Sequence, residues 1–175
     1  MGEHFTSKTG RSCDGCSMCC YVLAIDALEK PMGTWCTNCS NKNSCDIYPD
    51  HPQECKDYQC GYLTLANVFS EIWNPTKSKM VISLGLNGHR IRVDVHPSYP
   101  TRWKEEPYYS DLRRIAQNLN PKTTQLIVRV GRKTTVMLPN EDAYLGEVAK
   151  DEEVWTNVVR TQFGYNVVAK KISKA

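Results

Sequence analysis

From residue 79 onward the chain alternates apolar and polar positions in short runs separated by turn residues. Lys79–Leu86 and His89–Val95 flank Asn87-Gly88, whose residues tolerate the positive φ angles of a tight hairpin turn, so this segment is predicted to be a β-hairpin. In its second run Ile91, Val93 and Val95 alternate with Arg90, Arg92 and Asp94, giving one buried and one wet face. Leu112, Ile115, Ala116 and Leu119 then recur at helical spacing and predict a helix from Pro107 to Asn120, closed by Asn120-Pro121. Gln125–Val130 and Lys133–Leu138 around Gly131-Arg132 predict a second hairpin. Asn140 reads as the cap of a single helical turn. Val154–Gln162 and Tyr165–Ile172 around Phe163-Gly164 read as a third strand pair. The order predicts an α+β domain with an antiparallel sheet and one main helix. Just upstream, Leu65, Val68, Phe69 and Ile72 predict a connecting helix over residues 63–76, stopped by Asn74-Pro75.

The first sixty residues lack this patterning and carry cysteines instead. All nine lie between Cys13 and Cys60: Cys13, Cys16, Cys19, Cys20, Cys36, Cys39, Cys45, Cys55 and Cys60. The chain therefore divides into a cysteine-rich metal-binding module (1–62), a connection (63–76) and an α+β sheet domain (77–175). An odd count and repeated Cys-x-x-Cys spacing favour ligands over disulfides, because that spacing lets two sulfurs converge on one ion. Met1–Thr6 contains neither a basic stretch nor an apolar one, so no signal peptide is expected, and a reducing, cytoplasmic setting would keep the thiols available. Gly2 and Thr6 fit the loose myristoylation pattern, but nothing basic or greasy follows to strengthen an anchor. No stretch is long and apolar enough for a membrane helix.

Charge follows the same division. Residues 1–60 carry five Lys/Arg against eight Asp/Glu, and residues 61–175 carry seventeen against eleven. The basic residues are scattered, which disfavours nucleic acid as a partner; a protein partner stays open.

Cys13-x-x-Cys16-x-x-Cys19 repeats the first three ligands of a bacterial ferredoxin loop, but Cys20 follows at once where that pattern wants a gap and Cys-Pro. Adjacent side chains generally diverge. Cys19 and Cys20 are thus expected either to feed two centres or to clasp one multinuclear cluster from two sides. Cys36-x-x-Cys39 looks like a zinc knuckle with Cys45, Cys55 and Cys60 as later partners. Two tetrathiolate centres need eight sulfurs, so one of the nine is spare. His51, between Asp50 and Pro52, reads as a surface turn residue more than as a ligand.

Residues 11–62 resemble the CxxCxxCC family of YkgJ-like proteins. The resemblance rests on Cys13-Asp-Gly-Cys16-Ser-Met-Cys19-Cys20, Gly33-Thr-Trp-Cys36, Cys45-Asp-Ile-Tyr48 and Pro52-Gln-Glu-Cys55-Lys-Asp-Tyr-Gln-Cys60. Where the family usually has Arg-Pro and a Cys-Arg step, this chain has His51-Pro52 and Cys55-Lys56. The resemblance implies a zinc- or iron-chelating protein, in some members described as an iron–sulfur oxidoreductase. Members commonly carry one cysteine where this chain has two, which implies that Cys39 is the sulfur to set aside.

The second half offers no competing chemistry. It has no phosphate-binding glycine loop, dinucleotide fingerprint or nucleophile elbow. His89 and His96 fall on opposite faces of a regular strand and are not read as a metal pair. Glu105-Glu106 and Glu141-Asp142 read as solvated helix starts. Trp103, Tyr108 and Tyr109 read as packing residues. The expected function is metal binding, with zinc or iron, including an iron–sulfur cluster, held by the thiolates. The alternatives are an iron–sulfur electron-transfer or oxidoreductase component working with an external partner, a zinc-stabilised interaction module without catalysis, and a metal-handling protein that passes its ion on through the spare thiol.

Overall fold

The computed structural model of the chain describes residues 10–12, 15–40, 44–48, 50–85 and 88–174. Cys13, Asn87, Gly2 and Thr6 lie outside the described residues. The first half contains short helices α1 (Met18–Val22), α2 (Gln53–Asp57), α3 (Gly61–Thr64) and α4 (Pro75–Ser78). Strands β1 (Met80–Gly85) and β2 (Arg90–Val95) follow, then α5 (Tyr108–Asn118), β3 (Gln125–Val130), β4 (Lys133–Met137), β5 (Asp142–Glu147), β6 (Glu152–Thr161) and β7 (Gly164–Ser173). The fold is mixed α+β. Among the described residues no helix is long and apolar enough to cross a membrane.

Five strands form one sheet in chain order β1-β2-β3-β4-β5, and β6-β7 form a separate pair. β1–β2, β3–β4 and β4–β5 are antiparallel, but β2 and β3 run parallel. The expectation of a purely antiparallel sheet is corrected on this point. α5 lies between β2 and β3 in the chain, and such a crossover lets the next strand enter from the same end as the last.

Register divides the sheet into two faces. Met80, Ile82, Val93, Val95, Leu126, Val128 and Met137 form one core with Leu112, Ile115 and Ala116 of α5. The other face presents Val81 and Ser83 on β1, Arg90, Arg92 and Asp94 on β2, Ile127 and Arg129 on β3, and Thr134 and Val136 on β4. The β6-β7 pair covers one part of this second face, packing Val154, Val167 and Ala169 on Ile127 and Val136. The cysteine-rich segment covers the opposite part, placing Val22 and Leu23 on Val81.

Further expectations are corrected. The region after Asn140 is strand β5 and not a helical turn: the Leu138 N–H bonds to the Glu141 carbonyl at 2.9 Å, reversing the chain at once. Asp142 is therefore not a solvated helix start. It accepts from Arg113 Nη1 at 3.1 Å and from the Tyr109 hydroxyl at 2.9 Å, holding β5 to α5. The connection over 63–76 is not one helix: α3 ends at Thr64, a short 3-10 turn spans Glu71–Trp73, and α4 begins at Pro75. Asn74-Pro75 starts that helix, because the Asn74 side chain accepts from the Thr76 N–H at 3.0 Å and proline suits the first helical position. Of the expected stripe, Phe69 is fully buried and Leu65 and Val68 pack against the core, but Ile72 is 37% exposed and Trp73 is buried in its place.

α3 seats directly on β1. A Cβ built on Gly61 would lie 2.4 Å from Ile82 Cγ2 and 2.9 Å from Ile82 Cβ, with neither atom at the end of a flexible chain. Gly61→Ala is expected to lower unfolding stability by about 1–3 kcal/mol, as overpacking does. Denaturant midpoints check this, and an unchanged midpoint would mean that α3 is not pressed against Ile82.

Candidate metal centre

The cysteine segment is anchored at both ends. Arg11 donates from Nε to Glu71 at 2.6 Å and from Nη1 to the carbonyls of Tyr62 and Phe69 at 2.7 and 2.8 Å, with its guanidinium over the Tyr62 ring. At the other end Cys60 pairs with Ser83 as an antiparallel bridge along the edge of β1. The Tyr58 hydroxyl donates to the Ile82 carbonyl at 3.1 Å. Between these anchors most of the cysteines sit at tight backbone turns. The Cys20 N–H bonds to Ser17 O, Cys39 N–H to Cys36 O, Tyr48 N–H to Cys45 O, and Cys55 N–H to Pro52 O. The Cys36 N–H to Cys20 O bond, at 3.0 Å, draws the knuckle against α1.

The eight described cysteines are all free thiols: Cys16, Cys19, Cys20, Cys36, Cys39, Cys45, Cys55 and Cys60. Seven of them, all but Cys39, line one open cleft of about 2090 Å³. Cys39 is buried and close enough to Cys20 to influence its ionisation. Cys19 and Cys20 likewise perturb each other's ionisation. On a helical turn, adjacent side chains are not held to opposite faces as they are on a strand.

Burial sets the electrostatics of this wall. Cys16 is raised by desolvation and further by Cys60 and Cys20. Cys55 is pushed up to about 11 by burial, then by Cys20, Glu54, Cys36 and Cys45. Cys39, Cys45 and Cys60 are also raised chiefly by burial. Cys20 is the exception, lowered to about 7 because the Cys19 thiol donates to it, with Cys39 and the Lys30 ammonium adding to the effect. The cost is carried by Cys19, whose thiol is raised strongly by that hydrogen bond and by burial. Thiols that resist ionising together in a dry site can all be ionised when a cation joins them.

Two neighbourhoods meet at the Cys19–Cys20 pair. Cys16, Cys19 and Cys60 influence one another, with the Tyr58 hydroxyl hydrogen-bonded to Cys60. Cys20, Cys36, Cys45 and Cys55 form the second group, with Cys39 behind. Among the described residues no three His, Cys, Asp or Glu side chains stand in a ready-made coordination arrangement. The donor set itself is soft and unpaired, which fits zinc or iron.

Two groups here had no clear sequence signal. Lys30 is buried, and its Nζ donates to the carbonyls of Leu23, Pro31 and Tyr21. Burial lowers its pKa, while Cys36, Cys20, Cys19 and Cys55 act to raise it, so a cation stands behind the sulfur wall. It returns there because Ile25 and Lys30 pair across a short 3-10 turn, Asp26–Leu28. His51, expected as a surface turn residue, lines the cleft and stacks on Tyr48 at 4.9 Å, and its Nδ1 is buried without a partner among the described residues.

The other described histidines are engaged elsewhere. His89 Nδ1 lies 3.0 Å from the Thr123 carbonyl, and His96 stacks on Tyr21 at 4.5 Å. Glu105 is paired with Arg102, Trp103 and Tyr108 are buried in the main core, and Tyr109 packs against it. No family model matches this chain, and neither the curated proteins nor the solved structures searched contain a match.

Proposed function

We propose that this chain is a metal-binding protein in which the clustered cysteines hold zinc or iron, as the resemblance to the YkgJ-like cysteine-cluster proteins implies. The observation that carries the reading is the gathering of eight free thiols from four chain segments at one end of a sheet face. Seven of them line a single cleft, and the buried His51 Nδ1 beside them lacks a partner among the described residues. In residues 10–60 the buried aliphatic side chains are only Val22, Leu23 and Ile25 among the described residues. That is too little apolar burial to offset the ordering of so long a segment. Sulfur-bound ions supply the missing free energy in comparable modules.

Cys16, Cys19 and Cys60 would serve on one side of α1, and Cys20, Cys36, Cys45 and Cys55 on the other, with Cys39 supporting Cys20 or joining it. The bound ion would hold the thiols as thiolates. Lys30 offsets part of the accumulated negative charge. A closed zinc site would act structurally; an iron–sulfur cluster would add electron transfer with an external partner.

Elemental analysis and an absorption spectrum of anaerobically purified protein test this. Stoichiometric zinc in a colourless protein, or iron with broad visible bands, supports the proposal and chooses between the two metals. Cys20→Ser is expected to lose most of the metal, because Cys20 joins both neighbourhoods. Metal-free protein from a metal-supplemented preparation would overturn the reading.

A further inference from the structure

The cleft that carries the cysteines on one wall has a floor of arginines. Arg90, Arg92 and Arg129 lie on the second face of the sheet, and Arg132 follows β3; all four line the cleft. Each of the first three is tied down through its Nε. Asp94, 1% exposed, accepts from Arg92 Nε at 2.8 Å with one carboxylate oxygen and from Arg129 Nε at 2.7 Å with the other. Arg90 Nε donates to Gln125 Oε1 at 2.9 Å, and its Nη2 reaches the Val154 carbonyl at 3.4 Å. No hydrogen bond among the described residues uses Nη1 or Nη2 of Arg92 or Arg129, or Nη1 of Arg90.

This arrangement fixes three guanidiniums and leaves their outer donors unspent. Among the described residues, Asp94 is the one carboxylate ion-paired with Arg92 and Arg129. Arg90 feels burial first, relieved by Glu153, and then the repulsion of Arg92 and Arg129. Most carboxylates around the cleft are engaged elsewhere. Glu54 accepts from the Ala27 N–H, Glu152 from the Ala149 N–H and from Lys171, and Asp26 stands 3.9 Å from Lys150.

We infer that this floor is a binding site for the phosphoryl group of a phosphorylated small molecule, which the cysteine wall and the β6-β7 pair enclose on either side. Guanidinium forks match phosphate oxygens in pairs, and forks held by their Nε atoms lose little freedom on binding. Three of them on one sheet face within one cleft suit a tetrahedral dianion better than a carboxylate, which a single fork satisfies. The floor is a walled pocket and not a track of positive charge, which sets it apart from a nucleic-acid groove. A cleft of about 2090 Å³ leaves room for the rest of such a ligand beside the thiols. The site goes beyond the metal reading and does not depend on it.

Calorimetric titration of the reduced protein, as purified, with sodium pyrophosphate tests the inference. Saturable binding that weakens with added salt is expected, with inorganic phosphate weaker and citrate weaker still. Arg92→Gln and Arg129→Gln should each weaken pyrophosphate binding roughly tenfold or more, the loss expected of a charged hydrogen-bonding group. These variants unbalance buried Asp94, so Arg132→Gln, an exposed position with no side-chain bond among the described residues, is the second test and should weaken binding several-fold. Lys104→Gln, outside the cleft, should change nothing.

Absence of pyrophosphate binding to the wild type overturns the site, as does binding unchanged in Arg132→Gln and in whichever of the other arginine variants folds. Citrate binding as tightly as pyrophosphate, or a single-stranded oligonucleotide binding more tightly with the same arginine dependence, overturns the ligand class. Metal lost from Arg129→Gln while pyrophosphate binding persists would assign the arginines to the sulfur cluster and overturn the inference. Metal content measured on the same samples separates the two proposals: metal-free protein that binds pyrophosphate sinks only the metal reading.

Discussion

Stripping the reduced protein with a strong chelator is expected to make trypsin cut after Lys56 while fragments spanning the five-stranded sheet survive. Lys56 lies within α2, between Cys55 and Cys60, so its backbone enters a protease only when the segment opens. Structural zinc contributes on the order of 10 kcal/mol to small thiolate modules at neutral pH, more than residues 10–60 gain from their few buried side chains. The sheet has its own core around Ile82, Val93, Leu112 and Val128 and does not need the ion. Limited proteolysis read by mass spectrometry, with zinc or iron added back, checks the expectation. A cutting pattern indifferent to chelator would mean that no ion organises the segment.

Trp73→Ala should be among the most damaging single changes outside the cysteines, costing about 3–5 kcal/mol of unfolding stability. Trp73 is fully buried, meets Phe69 and Tyr108 edge-on at 5.0 and 5.1 Å, and donates from Nε1 to Asp111 at 2.9 Å. It joins the connecting segment, α5 and the sheet in one cluster. Trp73→Phe keeps most of the apolar area but loses the bond to Asp111, and should cost about 1–2 kcal/mol. Urea unfolding measures both. Equal midpoints for Trp73→Ala and the wild type would contradict the packing described.

Period together with turn residues made β1–β4, β6, β7 and α5 legible. Alternation through Arg90–Val95 and the 3-4 spacing of Leu112, Ile115 and Ala116 are local signals that the fold keeps. The parallel pairing of β2 with β3 was not legible, because strand order is decided by how the intervening helix packs. β5 was missed because Asn140 and the acidic pair after it suit a helix start as well as they suit the reversal that forms. In 63–76 the side-chain cap at Asn74 outweighed a weak helical stripe. The cysteine positions were plain in the sequence, and their mutual arrangement was not. Lys30 carried no signal, since burying a lysine depends on carbonyls from residues 21, 23 and 31 converging on it. The alternation of Arg90, Arg92 and Asp94 reads as a wet face, and nothing local announces that two other parts of the chain will wall it in.

The bridge between Cys60 and Ser83 has a consequence for the sheet as well as for the sulfurs. β1 is an outermost strand, and an uncovered outermost strand offers unpaired amides to any extended chain that drifts past. Here residues 58–61 occupy part of that border, tied by the Tyr58 hydroxyl to Ile82 and by the close seat of Gly61. A lapse in the cysteine segment therefore opens a template for strand addition, and molecules damaged at the sulfurs would recruit one another into aggregates through β1.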